Sequence, residues 1–140
     1  MTVSAKKFDW DNVGLDFGNW DEEKIWALDL PIVEIDINEL LWHFDAPWWP
    51  NDKGERWTIT PWDVINQFGE SKNEQTKMEK ADFNYPIDIL KNKGKWFVLD
   101  GLHRLVKLYK HGHKKVKVRI FPRERLPEIH VDDPIELPNY

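Results

Sequence analysis

The sequence predicts a small α+β domain, a mixed β-sheet with flanking helices, on three observations. Apolar and polar residues alternate over residues 32–37 and 116–120, the period of half-exposed strands. Two further strand-like runs, residues 86–90 and 95–99, are joined by Lys91-Asn92-Lys93-Gly94, a hairpin turn with a glycine available for positive φ. Helix-opening signals precede that hairpin, and an apolar period of helical spacing follows it. At 140 residues the chain is one domain of ordinary size, able to bury roughly two-thirds of its unfolded surface in a single core.

In chain order, residues 1–23 place Phe8, Trp10, Leu15, Phe17 and Trp20 among Asp, Asn and Gly without regular period. They read as an arm that docks by its aromatic rings, with a solvated tail as the alternative. The central domain, residues 24–122, opens on a short β-type segment, Ile25-Trp26-Ala27-Leu28, before the strand at 32–37. Residues 38–41 suit a helical turn. The stretch Trp42-His43-Phe44-Asp45-Ala46-Pro47-Trp48-Trp49-Pro50 has no period, its prolines forbid regular continuation, and it reads as a loop. Residues 51–56 form a mobile turn around Lys53-Gly54. Thr60-Pro61-Trp62-Asp63 supplies an N-cap, a proline at N1 and an acid at N3, opening a helix to about residue 68 that Gly69 stops. Ser71-Lys72-Asn73-Glu74 repeats the capping-box logic for a polar surface helix to about residue 81. After the hairpin, Leu102, Leu105, Val106, Leu108 and Tyr109 recur at helical spacing, and Gly112 suits a left-handed cap ahead of the last strand. Residues 123–140 read as an extended, proline-bearing tail.

Composition narrows the function. A net charge of −5 argues against a generic nucleic-acid binder, whose affinity comes from basic residues that neutralise phosphates. Lys107, Lys110, Lys114, Lys115, Lys117 and Arg119 alternate with apolar positions and read as a solvated face. The absence of cysteine excludes disulfides, thiolate zinc sites and a cysteine nucleophile. No apolar run approaches the roughly 18 residues that span a bilayer, and the N-terminus lacks signal-peptide order, so the expectation is a cytoplasmic protein without a membrane partner. Several of the nine tryptophans flank Pro, Asp or Asn, which suits a pocket wall or an irregular loop.

Two stretches carry chemistry. In Asp100-Gly101-Leu102-His103-Arg104, a strand breaks into a tight turn and opens a helix. The free N–H groups of that first turn, the positive end of the helix dipole and the donors of His103 and Arg104 suit an anion, with phosphate the obvious guest. An ordinary N-cap at Asp100 beside a solvated Arg104 is the bland alternative. In the second stretch, His43 and Asp45 stand among four aromatic residues, Trp42, Phe44, Trp48 and Trp49, where desolvation can raise a carboxylate toward use as a general base. A turn-forming role for Asp45 stays open.

The run Tyr85-Pro86-Ile87 through Trp96-Phe97-Val98-Leu99-Asp100-Gly101-Leu102-His103-Arg104-Leu105, then Gly112 and Val116-Lys117-Val118-Arg119, resembles the ParB/sulfiredoxin superfamily. In that superfamily a strand, a glycine turn and a helix carry an Asp-Gly-x-His-Arg phosphate-binding motif, matched here at Gly101, His103 and Arg104 and covering about residues 32–118. Leu102 stands where sulfiredoxin has its cysteine, so sulfinic-acid repair is not available. A basic helix-turn-helix domain like that of the partitioning proteins does not follow, which argues against clamp loading on DNA. The form resembles most the free-serine-kinase members, whose catalytic acid lies in an early loop, a place Asp45 occupies only loosely here.

The resemblance implies a nucleotide-binding enzyme, a small-molecule kinase or a nucleotide hydrolase, using ATP or ADP with Mg2+ and an unknown small-molecule acceptor. Gly101, Leu102 and the next N–H groups then cradle a phosphate, and His103 and Arg104 neutralise it. Asp100 positions a metal-bound water or orients the turn, Asp45 is the base and His43 an auxiliary donor; no protein metal cluster is expected. The alternative is a non-catalytic module that binds a protein or peptide through its tryptophans. A DNA-binding or nuclease role stands last, against the acidic charge.

Overall fold

The computed structural model describes residues 8–13 and 19–131, so the readings on Leu15, Phe17 and the tail beyond Val131 lie outside the described residues. The elements run α1 (Trp10–Val13), β1 (Asn19–Trp20), α2 (Glu22–Trp26), β2 (Ile32–Asp36), a 3₁₀ helix (Ile37–Asp45), α3 (Pro61–Ile65) and α4 (Lys72–Lys80). They continue with β3 (Ile87–Asn92), β4 (Lys95–Asp100), α5 (Leu102–Lys110), β5 (Lys115–Ile120), a second 3₁₀ helix (Arg123–Glu128) and β6 (His130–Val131). Four strands form a mixed sheet in the order β2-β5-β3-β4, parallel between β3 and β5 and antiparallel elsewhere. The predicted hairpin joins β3 to β4 through Lys93 (φ 49°) and Gly94 (φ 75°), the paired positive φ of a type I′ turn.

Both faces of the sheet are covered. Ile87 and Ile89 of β3 and Val116 and Val118 of β5 face a core closed by Leu105 and Val106 of α5, with Phe44, Val64 and Met78. Leu90, Phe97 and Leu99 face the other way, against Ile25, Trp10 and Ile129. The alternation of the strands therefore fills two cores rather than one core and a wet face. The second depends on the terminal segments: Trp10 meets Trp48 and Trp57 edge-on at 5.2 and 5.1 Å, and β1 pairs with β6.

Several local expectations are corrected. Ile25-Trp26-Ala27-Leu28 is not strand: Ile25 and Trp26 end the short helix α2, which Asp21 caps by accepting the N–H of Glu23. The stretch Trp42-His43-Phe44-Asp45 is not a loop: the helical turn predicted over residues 38–41 is part of a 3₁₀ helix that runs on to Asp45, close to the first proline. Thr60 and Asp63 form the predicted reciprocal capping box, but α3 stops at Ile65, short of Phe68. Ser71 does not cap α4; its Oγ donates to the Phe68 carbonyl, and Asp52, twenty residues upstream, accepts the N–H groups of Lys72 and Asn73 instead. The turn predicted as mobile is tied by Asn51, whose Oδ1 accepts from the N–H groups of Lys53 and Glu55. The tail is not simply extended, because Arg123–Glu128 is a 3₁₀ helix and β6 follows it.

One edge of the sheet is closed by side chains. Trp20 Nε1 donates to the Leu99 carbonyl (2.9 Å), Trp42 Nε1 donates to the Trp96 carbonyl (3.0 Å), and His43 Nε2 accepts the Val98 N–H (3.0 Å). These bonds replace a neighbouring strand along β4, so part of the tryptophan load shields an edge that otherwise offers free pairing groups.

Candidate functional site

A cleft of about 560 Å³ opens where α2, β2 and the end of β4 meet, lined by Trp26, Ile32, Tyr85, Pro86, Asp88, Asp100, Arg104 and Arg119. Its floor follows from strand register, which sets Asp88 opposite Asp100 beside a bulge and opposite Arg119 across β5. Arg119 Nε donates to Asp88 Oδ1 (2.7 Å), Nη1 to the Leu28 carbonyl (2.7 Å) and Nη2 to the Ile25 carbonyl (2.9 Å). The C-terminal carbonyls of α2 are thereby bolted to the sheet. Trp26, carried on that helix, donates its indole N–H to Asp100 Oδ2 (2.6 Å) and links the wall back to the floor. Burial pushes the Asp88 carboxyl up and outweighs the Arg119 partner, and the Asp100 charge pushes it further. Burial also pushes Glu22 on α2 up, countered by its own backbone hydrogen bond and reinforced by Asp100.

The turn that opens α5 needs its glycine twice. Gly101 sits at φ 106°, left-handed backbone, and a Cβ there would lie 2.9 Å from Arg104 Nη1 and 3.4 Å from Ile87 Cγ1. No side chain caps α5, so none competes with a ligand for its first-turn N–H groups. Arg104 Nη1 donates to the Pro86 carbonyl (2.8 Å), its guanidinium lies 5.7 Å from the Tyr85 ring centroid, and its Nε is buried without a hydrogen-bond partner. A charged donor left unsatisfied beside a cleft is the strongest sign of a missing acceptor in the site.

The structure divides the predicted motif. Asp100 and Arg104 line the cleft, Gly101 forms the cap, and Leu102 packs against the helix-side core. His103 turns to the other flank, where its ring stacks on Trp49 (4.3 Å, 13°) and its Nε2 meets Glu74 Oε1 of α4 at 3.0 Å. Glu74 also lines a second, polar cleft of about 430 Å³ with Asn51, Asp52 and Lys77.

The early stretch is not brought to this site. His43 is 1 % exposed, its Nδ1 bonds the Leu40 carbonyl (2.8 Å) and its Nε2 takes the Val98 N–H, so neither ring nitrogen is an auxiliary donor. Accepting that N–H makes His43 neutral with its proton on Nδ1, and burial holds its pKa down at about 3. Asp45 is exposed, accepts the Trp62 indole N–H (3.0 Å) and is absent from the cleft lining; the 3₁₀ helix that buries Phe44 leaves Asp45 on its outer side. The base expected at Asp45 is thus misplaced. Missed in the sequence were Trp26, Tyr85, Asp88 and Arg119. Asp88 gave a signal as a lone charge among Ile87, Ile89 and Leu90, whereas Arg119, grouped in the sequence with a solvated basic face, is instead largely buried against Asp88.

No protein-family model, curated protein or solved structure matches the chain. Among the described residues no helix is long and apolar enough to cross a membrane. No group of three or more His, Asp or Glu among them is arranged to hold a metal ion.

Proposed function

We propose that the cleft beside the α5 N-terminus binds the phosphates of a nucleotide, ATP or ADP, and serves phosphoryl transfer to a small-molecule acceptor or to water. The observation that carries this reading is the buried, unpartnered Nε of Arg104 next to an uncapped helix start. The likeness of Asp100-Gly101-Leu102-His103-Arg104 to the ParB/sulfiredoxin motif supports it, as does a cleft volume within the range of small-molecule sites. In this reading the N–H groups after Gly101 cradle a phosphate and Arg104 completes its coordination. Trp26 and Tyr85 flank the base, and Asp100, one oxygen held by Trp26, takes the proton from the attacking hydroxyl. Asp100, with Asp88 beside it, would offer carboxylate oxygen to a Mg2+ ion accompanying the nucleotide, and the ion would supply neutralisation of phosphate charge.

A second reading, a non-catalytic module for a protein or peptide, is favoured by one observation: Trp26, Ile32 and Tyr85 on the cleft rim are 57, 57 and 61 % exposed. Calorimetry separates the two. Wild-type protein is expected to bind ADP or ATP with Mg2+ more tightly than millimolar, and Arg104→Ala to lose about 10-fold to 100-fold of that affinity with its charge-assisted bonds. Asp100→Asn keeps binding and loses turnover. Nucleotides that fail to bind, or an Arg104→Ala variant that binds as well as wild type, contradict the proposal.

A further inference from the structure

Residues 81–86 form a strap from the end of α4 to β3, and α5 fastens it at both ends. Lys107 Nζ donates to the carbonyls of Ala81 (2.8 Å) and Glu79 (2.7 Å), and Arg104 Nη1 donates to the Pro86 carbonyl. Held this way, the strap lays two rings over the same two cations. Lys107 Nζ is 4.8 Å from the Phe83 ring centroid, and the Arg104 guanidinium is 5.7 Å from that of Tyr85. The rings remain 38 and 61 % exposed. The row begins inside the cleft, which Tyr85 and Arg104 both line, and runs past Phe83 to His111, edge-on to that ring at 5.1 Å, and to His113 at 5.5 Å. Lys110 and Lys114 stand exposed at the same end of α5. Against these cations are Glu79 at the end of α4 and Asp82 in the strap, whose Oδ1 accepts the Asn84 N–H. This flank is thus basic although the whole chain carries a charge of −5.

We infer that this flank binds single-stranded nucleic acid, with a terminal 5′-phosphorylated nucleotide in the cleft and the nucleotide after it stacked on Phe83. This rests on the phosphate reading above and extends its ligand from a mononucleotide to the end of a strand. Aromatic faces accept bases of any sequence, and the basic end of α5 lies where the following phosphates run. The α5 axis rises about 10 Å from Arg104 to His111, room for about one or two nucleotides beyond the terminal one. A duplex keeps its bases stacked inside and offers the rings no free face, so the flank selects single strands. An acidic peptide would meet the cations, but its carboxylates gain nothing from ring faces that carry the negative side of the π quadrupole.

The test is binding of 5′-phosphorylated oligodeoxyadenylates of one to four nucleotides to the full chain with Mg2+, at several salt concentrations, with ADP as the control for the cleft. Affinity should rise about 10-fold to 100-fold from one to three nucleotides and level off at four. The fall of log K with log salt should steepen by about 0.7 for each added phosphate held on the flank. Phe83→Leu changes an exposed ring outside the cleft; it should leave ADP and the mononucleotide unchanged and cost about 10-fold on the trinucleotide, whereas Phe83→Trp should keep the gain. Four results would each overturn the inference while leaving the phosphate reading intact as long as ADP binds: affinity that does not grow with length, a length gain that survives in Phe83→Leu, a duplex bound as tightly as the single strand, or a hexaglutamate peptide that matches the trinucleotide. Wild type that binds neither ADP nor any oligonucleotide overturns both. If Phe83→Leu does not fold, the length and salt series on wild type decide, since both are expected to be flat if the strap takes no part.

Discussion

Arg119→Met is expected to destabilise the fold by about 3–5 kcal/mol, the cost of leaving a buried charge without its partner. The Asp88 and Arg119 side chains are 3 and 13 % exposed, so solvent does little to replace the lost bond. The same change strips the Ile25 and Leu28 carbonyls of their donors and frees the end of α2 that carries Trp26. Burial lifts the Asp88 carboxyl despite Arg119, so the pair is held against a desolvation cost. It follows that the double variant Asp88→Leu with Arg119→Met recovers part of the loss, because no isolated charge remains in the core. Urea unfolding of the two variants measures both effects. A single variant within about 1 kcal/mol of wild type would show that water reaches Asp88 and that the bolt is not what fixes the cleft wall.

The second large effect is acid sensitivity centred on His43. Burial, with Lys95 adding to it against the opposing Leu40 carbonyl bond, holds the imidazole down from its usual 6.5 to about 3 in the fold. The contribution is fully present above pH 6.5. Below that the unfolded chain takes up a proton that the folded one refuses, and stability falls by about 1.4 kcal/mol per pH unit toward pH 3. Between pH 7.5 and 5 the expected loss from this residue is about 2 kcal/mol. His43→Phe should remove that slope while lowering stability at neutral pH by about 1–3 kcal/mol, since the Val98 N–H loses its acceptor. Unfolding curves at the two pH values isolate the term as the difference between variant and wild type. Equal slopes in the two proteins would mean that His43 is not the titrating group.

What the chain revealed by itself was whatever depends on neighbours in sequence. The type I′ turn at Lys93-Gly94, the Thr60/Asp63 capping box and the apolar period of α5 are all local, and each is found where those residues dictate. α2 escaped because five residues do not complete two helical turns, so Ile25 and Trp26 give no decisive period. Other assignments depend on partners far along the chain. Asp52 supplies the α4 cap across twenty residues, and His43 serves a strand fifty-five residues away, neither of which leaves a periodic trace. The site shows the same division. The glycine turn and Arg104 were legible because helix-start chemistry is local, whereas the cleft walls come from α2, β3 and β5. Asp45 looked chemical because aromatic residues surround it in sequence, but those rings pack inward and leave it in solvent.

Whether the α5 start and Arg104 hold a phosphate is decided by amide chemical-shift mapping of isotope-labelled protein titrated with ADP and Mg2+. The largest changes are expected at the amides of Gly101, Leu102, His103 and Arg104 and at the Trp26 indole N–H. Largest changes elsewhere, at the exposed Phe68 and Phe83 for instance, or none at millimolar nucleotide, would contradict it.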